Sequence, residues 1–199
     1  MDNEMRHRFD AWIEKSLDTK GTGPFSELIR LHKGRDVQSG PIEQMLTKMD
    51  ERRDCADFQA AGFIRMVYQF PEACGISENL QERIKQTLLS FKYWPDEPGV
   101  DDMCSWTENH TILFASTGYL AGQKYTDDVF TNSSLTGREL ADRFRPRIRK
   151  WLDLRFATGM SEWLSNVYYN EDFPALFNLY DFAEDEDIRK KAAMMLDLL

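Results

Sequence analysis

The strongest constraint on the fold is an alternation of two kinds of helical segment along the chain. Residues 57–70, 109–121 and 172–183 are apolar on most faces. A helix with this pattern is normally buried. Each is followed by an amphipathic segment, at residues 77–93, 137–155 and 185–199. This alternation predicts repeated antiparallel hairpins, with an inner layer of buried helices and an outer layer of amphipathic ones.

The remaining sequence also favours helices. Residues 8–17 and 25–32 are short amphipathic segments, and Pro41 suits the first turn of a helix that runs to about Arg52. Val129-Phe130-Thr131 is the only fragment that resembles a strand. The predicted fold class is therefore all-α. Residues 1–40 are expected to form an N-terminal helical segment, and residues 41–199 a helical-hairpin domain that does not close a ring by itself.

Composition narrows the function. Of 199 residues, 25 are Lys or Arg and 34 are Asp or Glu, which gives a net charge of −9 and argues against a nucleic-acid partner. No apolar run reaches transmembrane length, and the N-terminal residues do not resemble a signal peptide, so a cytoplasmic protein without membrane contact is expected. The three His and three Cys lack paired spacing, so neither a metal site nor a cofactor is predicted.

Polar and aromatic residues gather where the second and third apolar segments begin. If inner helices of one repeat run parallel, these residues lie together at one end of the stack, here called the rim. The rim residues are Trp106, Glu108, Asn109, His110, Glu162, Trp163, Tyr168 and Tyr169, with Trp94 in the loop before them. Adjacent Asn and His on such a rim are candidates for acid–base chemistry.

Several of these segments resemble the α/α-toroid polysaccharide lyases, the alginate lyase and heparinase II/III-like proteins. The resemblance rests on residues 93–99, on Trp106-Thr107-Glu108-Asn109-His110, on residues 114–123, and on residues 159–169. It implies a partial α/α toroid over residues 54–199 and a glycan substrate. It further implies that Asn109 binds a uronate carboxyl group, that His110 acts as base and that Tyr168 or Tyr169 exchanges the proton. The chain departs from the family's frequent Asn-Asn-His, because Glu108 occupies the first position and would repel an acidic sugar.

Chemistry alone leaves three functions open. β-Elimination from a uronate needs a group that neutralises the carboxylate, a base and an acid, which Asn109, His110 and a tyrosine can supply. Hydrolysis of a glycoside needs two carboxylates instead. Candidates on the predicted rim are Asp101, Asp102, Glu108, Glu162, Glu171 and Asp172. Trp94, Trp106, Trp163 and Glu162 are candidates for binding the sugar. The third function is a non-catalytic helical scaffold.

Structural interpretations stand beside each candidate. Trp106 and Trp163 would then be wedges between hairpins, Asn109 an N-cap, and His110 a hydrogen-bonded core residue. The apolar C-terminal segment, residues 193–199, predicts contact with the rest of a toroid or with another subunit. The alternative is that it packs on the preceding hairpin.

Overall fold

The computed structural model describes residues 2–18, 23–71 and 75–199 of the chain. Cys74, expected to be a reduced thiol, lies outside these ranges. The described residues form nine helices and one strand pair: α1 (Asn3–Asp18), α2 (Pro24–His32), α3 (Ser39–Asp50), α4 (Ala56–Gln69), α5 (Glu78–Ser90), α6 (Glu108–Lys124), β1 (Val129–Phe130), β2 (Leu135–Thr136), α7 (Gly137–Thr158), α8 (Tyr169–Phe182) and α9 (Glu186–Leu198). The all-α prediction is confirmed, and the antiparallel pair β1–β2 is a two-residue ladder at the entry to α7.

Helices α4, α6 and α8 pack against one another in all three pairs. Asn178 of α8 connects this helix with α4. Its Nδ2 donates to the Ala61 carbonyl at 2.8 Å, and its Oδ1 accepts from Arg65 Nε at 2.9 Å. Outside them, α7 packs on α6, α9 packs on α8 and α7, and α5 packs on α3 and β1. At the N-terminal end, α2 contacts α1, α3 and α4.

Helix α6 is the centre of the fold and is buried along nearly its whole length, including Ser116, Thr117 and Gly118. The helix continues past the predicted apolar segment, residues 109–121, and through Gly122 to Lys124. Glycine at 122 allows a close approach: a Cβ there would lie 2.4 Å from the Gly137 carbonyl oxygen at the start of α7. The tight α6–α7 contact therefore depends on a missing side chain.

Helix α8 differs from the expectation of a wholly buried inner helix. It buries Ala175, Leu176 and Leu179. Phe177 and Tyr180 are exposed on its other face. Helices α4 and α6 cover one side of α8, and α9 covers another. The remaining face of α8 is not covered by a helix from the described part of the chain.

The C-terminal helix α9 buries Ile188, Ala192 and Met195 against α8 and α7, while Leu198 stays exposed. The apolar end of the chain therefore does pack on the preceding hairpin, though not completely. Among the described residues, no helix combines the length and apolar character that crossing a lipid bilayer requires.

Candidate functional site

Hydrogen bonds from α7 and from the N-cap residue hold the first turn of α6 in place. Thr107 is the N-cap, so the interpretation of Asn109 as the N-cap is wrong. Trp151 of α7 donates its indole N–H to the Glu108 carbonyl at 3.0 Å. Thr107 Oγ1 donates to Asn109 Oδ1 at 2.7 Å. These bonds fix the directions in which the side chains of Glu108, Asn109 and His110 project from the helix.

Glu108 ties the loop between α7 and α8 (residues 159–168, the α7–α8 loop) to α6. Its Oε2 accepts from the Ser161 backbone N–H at 2.6 Å and pairs with the Arg155 guanidinium of α7. Arg155 also donates to Ser161 Oγ at 2.8 Å. Glu108 is therefore committed to positioning this loop, and its charge is matched by Arg155.

Asn109 connects α6 with α8, since its Nδ2 donates to Glu171 Oε2 at 2.5 Å. The amide group is buried. With its oxygen bonded to Thr107 and its nitrogen bonded to Glu171, Asn109 is occupied at both ends. The carboxylate-binding role that the lyase resemblance implies would need this bond to Glu171 to break.

His110 contacts a residue that the sequence did not single out, Asp57 near the start of α4. His110 Nδ1 lies 2.6 Å from Asp57 Oδ2, and the two residues are only 8% and 1% exposed. The ring of Phe58 meets the imidazole edge-on, with centroids 5.6 Å apart. This is the hydrogen-bonded, buried histidine of the structural interpretation, but its carboxylate partner also holds it in one orientation.

The pKa values of Asp57 and His110 are both shifted from their ordinary values. Burial raises the pKa of Asp57, although the bond to His110 opposes the shift. Burial lowers the pKa of His110, but the hydrogen bond and charge of Asp57 outweigh it and leave that pKa above its ordinary value. The contact therefore favours the protonated form of His110, while burial works against the ionised form of Asp57.

A group of carboxylates includes Glu171, the partner of Asn109. Asp172 of α8 is 3% exposed, and its Oδ1 has no hydrogen-bond partner among the described residues. Burial raises the pKa of Asp172 to about 7, the charges of Glu108, Glu162 and Glu171 add to the shift, and Arg155 opposes it. Burial and the charges of Glu108 and Glu171 also raise the pKa of Glu162.

Aromatic side chains project into solvent beside these carboxylates. Trp106 is 80% and Trp163 is 69% exposed, so the interpretation of both as wedges is wrong. Tyr168 is exposed as well, next to Leu164 and Val167. Exposed aromatic and apolar side chains commonly mark binding surfaces where they form a contiguous patch.

Two other candidates have different surroundings. Trp94 is half-buried, with Phe144 against its edge at a centroid distance of 5.8 Å and the Arg147 guanidinium over its face at 4.9 Å. Its ring is therefore engaged within the protein. Tyr169 is half-buried and its hydroxyl accepts from the Leu164 N–H at 2.7 Å. Of the two candidate tyrosines, Tyr168 is thus the more accessible.

Sequence reasoning missed Asp57 and Arg155. Asp57 follows the start of α4 as Asn109 follows the start of α6, so aligning the helix starts would have found it. Arg155 gives no such signal because it belongs to an outer helix. A cavity of about 260 Å³ lies elsewhere, beside α4 and α5, and none of the predicted site residues lines it.

Comparison of the chain with protein-family models, with curated proteins and with solved structures finds no match.

Proposed function

We propose that this chain is a carbohydrate-active protein, built as a partial α/α toroid, that hydrolyses a glycosidic bond in a glycan lacking uronate groups. The observation that carries the proposal is the environment of Asp172, a buried carboxyl group whose pKa is raised to about 7. A carboxylic acid that stays protonated near neutral pH beside ionised carboxylates is the pairing on which glycoside hydrolysis depends.

Each group has a role in this proposal. Asp172 is the general acid that protonates the leaving oxygen. Glu162 or Glu171 is the second carboxylate, which activates water or attacks the sugar carbon. Trp106, Trp163 and Tyr168 offer exposed rings to the apolar face of a sugar. Because Asp172 is buried, the glycan reaches it only after the α7–α8 loop moves, and Glu108 and Arg155 set the position of that loop.

Two observations favour hydrolysis over β-elimination. The Asn109 amide that would neutralise a uronate is bonded to Glu171 at 2.5 Å. In addition, Glu108, Glu162, Glu171 and Asp172 interact electrostatically in one neighbourhood with Arg155 as their cation. A uronate brought there would be repelled, whereas a neutral or amino sugar would not.

The test is a substrate screen with two readouts. Neutral, amino-sugar and uronate glycans are incubated with the protein, and both reducing ends and the ultraviolet absorbance of an unsaturated product are followed. The proposal expects reducing ends without that absorbance, from neutral or amino-sugar glycans. Because Asp172 must be protonated, the rate should fall as pH rises above about 7.

Variants connect the activity to the residues. Asp172→Asn and Glu162→Gln should each reduce the rate about 10²- to 10⁴-fold, as expected for a lost acid or base. Asp127→Asn, in the exposed turn after α6, is the matched control and should leave the rate unchanged. A rise in absorbance with alginate or a glycosaminoglycan would overturn the proposal in favour of a lyase. If neither reducing ends nor absorbance increases while glycan binding is retained, the protein is a binding scaffold and the proposal of hydrolysis is wrong.

A further inference from the structure

A second group of side chains includes His110, and the proposed glycan hydrolysis uses none of its members. Asp54 and Cys55 immediately precede α4, and His110 comes from the first turn of α6. One ligand atom from each of the three lies within 4.8 Å of the other two. They therefore bring a carboxylate oxygen, a sulfur and an imidazole nitrogen together from two separate segments.

From this arrangement we propose that Asp54, Cys55 and His110 bind a zinc ion. Thiolate and imidazole are ligands that zinc prefers, whereas calcium and magnesium take oxygen ligands. Three protein ligands leave a fourth tetrahedral position open for water or another ligand. Bonds of about 2.0 to 2.3 Å to one zinc ion require the ligand atoms to close by roughly 1 Å from their present separation.

Zinc-binding histidines are usually hydrogen-bonded through their second ring nitrogen, and Asp57 provides such a partner for His110. With His110 Nδ1 on Asp57 Oδ2 at 2.6 Å, Nε2 is the nitrogen left to bind metal. A carboxylate behind a ligating histidine fixes the ring and increases its basicity. The other oxygen of Asp57 is buried without a hydrogen-bond partner among the described residues. A divalent cation on His110 would place positive charge beside this buried carboxylate.

The backbone also holds the two neighbouring ligands in place. Cys55 has φ 61°, in the left-handed region that non-glycine residues rarely adopt. Such strain often accompanies a functional constraint. Asp54 Oδ1 accepts from the Cys104 N–H at 3.1 Å, while its Oδ2 accepts from the Cys55 thiol at 3.7 Å. Asp54 is exposed, which leaves a path by which a metal ion can enter from solvent.

The first experiment measures metal binding directly and does not depend on glycan activity. Full-length protein stripped with a chelator is titrated with Zn²⁺ by calorimetry, and with Co²⁺ while the absorption spectrum is recorded. We expect one ion per chain, with a thiolate-to-cobalt charge-transfer band and the visible bands of a tetrahedral site. Absence of saturable Zn²⁺ binding by the folded wild-type chain would overturn the proposal.

Variants then assign the ligands. Cys55→Ser should remove the charge-transfer band, and Asp54→Asn should weaken Zn²⁺ binding at least tenfold; neither residue is buried, so folding can be verified by circular dichroism. Cys104→Ser is the matched control, because this thiol lies outside the ligand set although its N–H binds Asp54. Loss of the band in Cys104→Ser with retention in Cys55→Ser would reject the assignment. Asp57→Asn should weaken Zn²⁺ binding about 10- to 100-fold and keep the cobalt spectrum, as expected of a positioning residue.

Discussion

Two buried aspartates flank α6, and their surroundings differ. Asp57 near the start of α4 and Asp172 near the start of α8 each leave Oδ1 buried without a hydrogen-bond partner among the described residues. Asp57 directs its other oxygen to the imidazole of His110 at 2.6 Å. Asp172 instead faces the charges of Glu108, Glu162 and Glu171, with only Arg155 to oppose them.

The comparison shows that the position of an aspartate near a helix start does not fix its titration. Burial raises the pKa of both carboxyl groups. A group that can carry positive charge stands against Asp57, which favours ionisation, whereas like charges around Asp172 favour its protonated form. The same residue type near the start of two helices thus meets a potential cation in one place and like charges in the other.

The largest effect is expected from removing the partner of Asp57. His110→Ala leaves a buried carboxylate uncompensated, which should lower the free energy of unfolding by about 3 to 5 kcal/mol. Urea unfolding at pH 7 measures the loss, with a chelator present so that bound metal does not contribute. The Asp57→Asn variant and the double variant complete a cycle in which the double loss is smaller than the sum of the single losses. Additive losses would show that the two side chains do not interact as described.

For Asp172, the expected change has the opposite sign. Its folded pKa of about 7 lies above its ordinary value of 3.8, so the folded state binds the extra proton between these values and the protein loses stability as pH rises through that window. Each pKa unit is worth about 1.4 kcal/mol. Asp172→Asn should therefore be more stable than wild type at pH 8, by roughly 2 to 4 kcal/mol.

Urea unfolding of both proteins from pH 4 to pH 8 measures this gain. The two stability curves should lie closest together at pH 4 and separate as pH rises. Asp127→Asn supplies the control, since Asp127 is exposed and its variant should follow the wild-type curve. Curves for wild type and Asp172→Asn that stay parallel over the whole range would show that Asp172 is not held protonated.

Periodicity predicted most of the fold, because burial of an apolar face imposes a pattern that one sequence displays directly. It placed α4, α6 and α8 within a few residues of their observed ends, with the largest errors at the C-terminal end of α6 and at the N-terminal end of α8. The exposed face of α8 was not predictable, since Phe177 and Tyr180 look like core residues until the neighbouring helices are placed.

The candidate site was predicted only in part, for a related reason. Glu108, Asn109 and His110 are consecutive in the sequence, so their proximity could be predicted. Their partners Asp57 and Glu171 come from positions more than fifty residues away, and which partner each contacts depends on helix packing. The pairing of Glu108 with Arg155 likewise requires the α6–α7 contact, which helical periodicity does not specify.

Glu108→Gln tests whether like charges keep Asp172 protonated. Loss of this carboxylate removes the charged partner of Arg155 and Ser161, which should cost about 1.5 to 3 kcal/mol. It also removes one of the charges that raise the pKa of Asp172, so that pKa should fall. Carboxyl-carbon NMR titration of Asp172 measures the shift, and urea unfolding measures the stability. An unchanged Asp172 pKa would mean that burial alone accounts for the difference between the two aspartates.

The smallest effect is expected within the α7–α8 loop, which provides one side of the Asp172 neighbourhood but none of the residues around Asp57. Tyr169→Phe removes the hydroxyl that accepts from the Leu164 N–H at 2.7 Å. Leu164 has φ 58°, so this bond helps to hold a residue in a rarely adopted conformation. The change should cost about 0.5 to 1.5 kcal/mol and increase amide hydrogen exchange at Leu164, while exchange near His110 stays the same. Tyr168→Phe is the matched control because that side chain is exposed, and it should alter neither quantity. Faster exchange both at Leu164 and near His110 in Tyr169→Phe would show that the two aspartate environments are coupled, and that they cannot be treated as separate sites.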